Sequence, residues 1–176
     1  MRWLQAFPSL EARASHWPAA HGPQGLTDMR RLSGGENDVC SYVIEDEFGW
    51  VTAVSPTTGL LIGYLWRSAD YPWLSAWRNS AADGSPAARG LEFGTTGVHQ
   101  PFPELAAMPT VLGKPTFTYL DAGASHTRSY CMFLCPVKGT GLGAGVKSVA
   151  YSPDIGELVL IGPDGATVTL AVGQLS

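Results

Sequence analysis

Val39-Cys-Ser-Tyr-Val-Ile44, Trp50-Val-Thr-Ala-Val54 and Leu60-Leu-Ile-Gly-Tyr-Leu-Trp66 are three short runs of β-branched and aromatic residues, parted by Glu45–Gly49 and Ser55–Gly59. Such side chains suit a pleated surface, and the Gly, Pro, Asp and Ser between them supply turn conformations, so the stretch predicts an antiparallel meander. Working outward, the same pattern predicts strands at Ala87–Phe93, Thr116–Leu120, Ser129–Pro136, Ser148–Tyr151, Glu157–Ile161 and Thr167–Val172. Pro163–Gly165 marks the turn of a terminal hairpin. Many short strands with regular turn signals specify an all-β protein, an antiparallel β-sandwich, over residues 38–176. Residues 1–37 mix Pro8, Pro18 and Pro23 with short apolar pieces and hold no sustained period. They read as an irregular arm packed on that domain, with one short helix around Ser9–Ser15.

The chain of 176 residues is on the scale of one domain, 45% hydrophobic and 15% charged, which is globular rather than disordered. No run of 18 apolar residues offers a membrane span, and a net charge of −4 with scattered basic residues gives no footprint for nucleic acid. The opening residues carry Glu11 and prolines without the apolar core of a secretory signal, so a cytoplasmic location is expected. Cys40, Cys131 and Cys135 fit that compartment as three reduced thiols. Cys131 and Cys135 stand four apart on a strand, too far to bond each other, and no ligand spacing suggests a metal. No cofactor is expected either. Gly139-Thr-Gly-Leu-Gly-Ala-Gly145 precedes a strand pattern where a dinucleotide fingerprint needs a helix N-terminus, so it reads as a β–β loop.

Two stretches carry candidate chemistry. Leu65–Trp77 holds Trp66, Trp73 and Trp77 around Arg67 and Asp70. Aromatic faces pack against the C–H surface of sugars while Asp and Arg orient hydroxyls; the competing reading is that the rings fill the core. Ala88–Pro103 places Arg89 and Glu92 in an apolar strand, with His99 and Gln100 beyond a glycine-rich bend. Three apart on a regular strand, Arg89 and Glu92 face opposite sides, so they share a site only across a twist or bulge. A carboxylate in an apolar setting is expected to titrate high enough for a general base; the competing reading is an Arg–Glu pair on a solvated edge. His126 lies in a turn as an ordinary solvated histidine, and no G-x-S-x-G elbow points to an α/β-hydrolase.

Val51–Trp66, Ala88-Arg-Gly-Leu-Glu-Phe-Gly94 with His99-Gln-Pro-Phe-Pro103, and Gly123–Leu134 resemble, in that order, the C-terminal half of the galactose mutarotase-like superfamily, the aldose 1-epimerases and their relatives. The resemblance implies a half-length version of that β-sandwich and a hexose-like ligand. It implies that Glu92 is the general base at the anomeric hydroxyl and that Gln100 is the polar residue that follows. The family's catalytic histidines come from an N-terminal half not seen in this sequence, so the acid falls to His99, His126 or a residue of another subunit. A half-length sandwich leaves open sheet edges, from which a homodimer is expected. The sequence thus leads to a carbohydrate-binding protein with an aldose 1-epimerase type of isomerase activity. Glu92 and His99 are its catalytic pair, and Arg89, Gln100, Trp66, Arg67, Asp70, Trp73 and Trp77 its binding residues. The rival readings are a non-catalytic sugar-binding module, and a hydrolase or lyase on a sugar-like or lactone substrate using Glu92 and a histidine.

Overall fold

A computed structural model of the chain describes residues 2–5, 17–22, 25–30, 37–79 and 88–175. In chain order the strands are β1 (Arg2–Gln5), β2 (Ala19–Gly22), β3 (Gly25–Asp28), β4 (Asn37–Val43), β5 (Phe48–Ser55), β6 (Leu60–Arg67), β7 (Trp73–Asn79) and β8 (Ala88–Gly94). They continue with β9 (Thr110–Val111), β10 (Lys114–Pro115), β11 (Tyr130–Pro136), β12 (Ser148–Ser152), β13 (Glu157–Ile161) and β14 (Thr167–Ala171). The short α1 (Phe102–Ala107) is the one α-helix among the described residues. Among the described residues pairing is antiparallel throughout and no sheet closes into a barrel, so the chain has the all-β, sandwich-like character that the meander predicts. No described helix is long and apolar enough to cross a membrane.

Contacts divide the chain into two compact units, each built from two separate stretches. One takes the described residues of Phe48–Arg67 and Thr127–Ser176. Here β5 and β11 flank β6 in one three-stranded sheet, and β12–β13–β14 form another. Alternation along β6 and β11 sends Leu61, Leu65, Phe133 and Cys135 to one side, where they pack with Leu158 and Leu160 of the second sheet and with Leu142 and Leu175. Phe133 lies opposite Gly63 in the β11–β6 register, and its ring occupies the space a side chain at Gly63 would need. Cys131 and Cys135 share this inward face, and burial pushes both thiols up. The Gly139–Gly145 stretch is the loop that joins β11 to β12, as its sequence context predicts.

The other unit takes the described residues of Met1–Glu47 and Ser68–His126. Its sheet runs β1-β4-β7-β8. One face carries Cys40, Tyr42 and Ala76, covered by Trp17, Ala20 and Met29 of the β2–β3 hairpin region. Arg78 ties the two layers together: it holds Asp38 in a two-pronged ion pair at 2.8 and 2.6 Å and reaches the Asp28 carbonyl. The opposite face carries Val43 and Trp73, covered by Val98, Leu105, Val111 and Phe117.

Several local expectations differ from what forms. Residues 2–5, 19–22 and 25–28, read as part of an irregular arm, are strands because β4 offers β1 a ladder and β2 and β3 pair with each other. The helix expected around Ser9–Ser15 lies outside the described residues. Trp73–Asn79 is not among the strands expected from the sequence, where Leu65–Trp77 is read as an aromatic strip that binds a ligand or fills the core; it is an inner strand of its sheet. Thr116–Leu120 has strand-like residues but forms no strand: Thr116 turns its hydroxyl to the Met108 carbonyl at 2.7 Å, and Tyr119 and Leu120 are exposed.

Candidate functional site

The register of the four-stranded sheet assembles a row of polar residues at its middle. Ser41 of β4 stands opposite Ser75 of β7, and Ser75 stands opposite Glu92 of β8. Directly opposed residues on antiparallel strands point to the same face with their Cβ atoms about 5 Å apart. The three side chains therefore form a line across the sheet, flanked by the Val43–Trp73–Gly94 row on one side and the Val39–Trp77–Gly90 row on the other.

His99 reaches the same row from the loop after β8. Its Nε2 lies 3.3 Å from the Ser75 hydroxyl, which lies 2.9 Å from the Ser41 hydroxyl. The loop is seated by Gly97, which lies flat against the Trp73 indole where a side chain would collide, and by buried Val98 beside Trp73. Trp73 is itself anchored by its indole N–H, which donates to the Pro115 carbonyl at 2.6 Å. Ser41 and Ser75 are buried, while His99 and Glu92 are exposed. The hydroxyls thus form the floor and the two ionisable groups the rim. Glu92 leans back along the strand, with Oε1 2.7 Å from where a Cβ on Gly90 would stand and Trp77 next to it. The apolar enclosure expected around Glu92 is absent, because its face of β8 is open at this position.

The other candidates from the sequence are dispersed. β8 pairs with β7 without a bulge, so Arg89 stands on the face opposite Glu92, where its Nη1 donates to the Arg30 carbonyl. Gln100 follows His99 in the same loop and is half-buried. Trp77 is half-buried beside the Glu92 row, but Trp73 and Trp66 are fully buried and act as core rings. Trp66 and Arg67 belong to the other compact unit, where Arg67 donates to the Leu175 carbonyl at 3.0 Å and stacks over Phe48 at 5.3 Å. Asp70 sits in the turn between β6 and β7, and His126 in an exposed stretch before β11. Among the described residues no cluster of His, Cys, Asp or Glu could hold a metal ion.

Ser41 and Ser75 are the residues that sequence reading missed. The signal for Ser75 is the Trp73-Leu-Ser75-Ala-Trp77 alternation, which puts Ser75 on one face with the two tryptophans once the segment is taken as a strand. Ser41 is visible only through its pairing.

What the arrangement offers is a carboxylate and an imidazole at the rim of one sheet face, a half-buried indole beside them, and a buried hydroxyl pair beneath the imidazole. Comparison with family models, with characterised proteins and with solved structures finds no match to this chain.

Proposed function

We propose that this chain binds a hexose-like carbohydrate over the Ser75 row and interconverts its anomers, a reaction of the aldose 1-epimerase type. The observation that carries the reading is that Glu92 and His99, from different segments, flank the same buried serine and open to solvent on one face. Ring opening of an aldose needs a base at the anomeric hydroxyl and an acid at the ring oxygen, both within hydrogen-bond reach of one sugar. In the proposed step the Glu92 carboxylate takes the hydroxyl proton, the C–O bond to the ring oxygen breaks, and that oxygen takes a proton from protonated His99. The product is the open aldehyde with Glu92 protonated and His99 neutral. Rotation about the bond next to the aldehyde, followed by the reverse transfers, closes the ring on the other face. Trp77 supplies an indole for the sugar's C–H surface and Gln100 a hydroxyl partner.

Attack by Ser75 itself is the weaker chemistry, because its hydroxyl belongs to a residue 3% exposed in mid-strand. The test is polarimetry on fresh α-galactose and α-glucose. An accelerated mutarotation that Glu92→Gln reduces at least a hundredfold is expected, the scale of general acid–base contributions. An equal rate in wild type and variant, or no acceleration at all, would overturn the proposal.

A further inference from the structure

We infer that Ser75 is a positioning residue for His99: it anchors Nε2 to the floor of the sheet and so makes Nδ1 the nitrogen that exchanges protons with the ligand. The inference rests on the proposed proton-transfer reading of the site. An imidazole has two nitrogens on opposite edges of the ring, and a group held at one presents the other. Here Nε2 is 3.3 Å from Ser75 Oγ, and His99 is an exposed residue, so its remaining nitrogen is the one left for solvent or ligand.

A serine hydroxyl suits this task because it both donates and accepts. It can donate to Nε2 when the ring carries its one proton on Nδ1. It can accept from Nε2–H when the ring is protonated or has just released the Nδ1 proton. In the proposed cycle Nδ1 gives up and regains its proton while Nε2 keeps its own, so the Ser75 oxygen accepts from Nε2–H in both states, and its capacity to donate keeps the same contact in the other neutral tautomer. A single hydroxyl would still rotate freely; the Ser41 hydroxyl, 2.9 Å away and fully buried, fixes it. Ser41, Ser75 and His99 thus form a short relay whose buried end is rigid and whose exposed end is reactive, with Glu92 one strand further along the same row.

The test follows the two ring nitrogens of His99 by 15N NMR in the intact chain. In the free protein, Ser75→Ala should move the Nε2 resonance and leave Nδ1 nearly unchanged. Adding galactose to wild type should move Nδ1. In polarimetry Ser75→Ala should lower kcat about tenfold with little change in KM, the scale of one neutral hydrogen bond. Ser75→Thr, which keeps the hydroxyl, should restore most of the rate. Ser41→Ala, which leaves the Ser75 contact in place, should give the same pattern in weaker form. An Nε2 resonance indifferent to Ser75→Ala, or a Ser75→Thr no better than Ser75→Ala, would overturn the inference. Failure of the epimerase reading is separate: it appears as absent mutarotation while the Nε2 response in the free protein persists.

Discussion

Gly90→Ala separates the geometry of the candidate site from the stability of the strand that carries it. Gly90 pairs with Trp77, and its φ is not in the left-handed region, so alanine fits the strand without backbone strain. Replacing a glycine at such a position reduces the freedom of the unfolded chain and stabilises by about 0.4–1 kcal/mol. The new methyl meets one close neighbour, Oε1 of Glu92, at 2.7 Å, with Trp77 Cβ at an ordinary 3.4 Å. Because Glu92 is exposed, its carboxylate swings away rather than pressing on the core; moving from 2.7 to 3.4 Å is a displacement of about 0.7 Å. A displacement near 1 Å at a reacting group can reduce rate about a hundredfold, so the smaller shift here should lower mutarotation about tenfold. Two assays on one variant decide the matter: the urea midpoint should stay or rise, while kcat falls. An unfolding free energy lowered by more than about 1 kcal/mol would refute the strand argument. A rate equal to wild type, with Glu92→Gln inactive, would show that the leaning carboxylate is not the reactive pose. Gly97→Ala is the contrasting control, since its methyl enters the fully buried Trp73 indole, which cannot move aside. It should cost about 1–3 kcal/mol and, by lifting the loop, weaken the His99 contact to Ser75 as well.

Asp38→Ala leaves Arg78, whose side chain is only 4% exposed, without its two-pronged carboxylate. The expected loss is about 3 kcal/mol in chemical denaturation, at the low end for buried pairs because Asp38 is partly open to solvent, and Asp38→Leu combined with Arg78→Met should recover most of it. Tyr42 gives the pH dependence: burial, and then the neighbouring Cys40, hold its hydroxyl protonated far above the ordinary range. The unfolded chain releases that proton near the ordinary value of about 10, so the folded state binds more protons above it and stability should fall by about 1.4 kcal/mol per pH unit from there. Below that pH the contribution is complete. Denaturation between pH 9 and 11 should show a shallower decline in Tyr42→Phe, and identical slopes would disprove the assignment.

The period-2 runs at β5, β6 and β12–β14 were legible because each strand has one face on a core and turn residues at its ends, so pattern and structure coincide within a residue or two. β7 was not. Its Trp73-Leu-Ser-Ala-Trp-Arg-Asn79 is buried on both faces, which erases the apolar–polar alternation by which a strand is read. Thr116–Leu120 shows the reverse: β-favouring residues without a partner strand, held instead by the Thr116 hydroxyl. β propensity describes fitness for a ladder and does not create one.

For the site, the Ala88–Pro103 segment determined Glu92, His99 and Gln100 as candidates, because a charged residue in a short strand and a histidine after a glycine bend are local features. The spacing of three also determined that Arg89 and Glu92 part company unless a bulge intervenes, and none does. The Ser41–Ser75–Glu92 row was decided by tertiary structure alone. Ser41 and Ser75 are separated by 34 residues, within which the chain leaves at Phe48 for the other unit and returns at Ser68. Which residues share a row depends on register, and register is fixed by the cores on either face of the sheet rather than by anything written near Ser41 or Ser75.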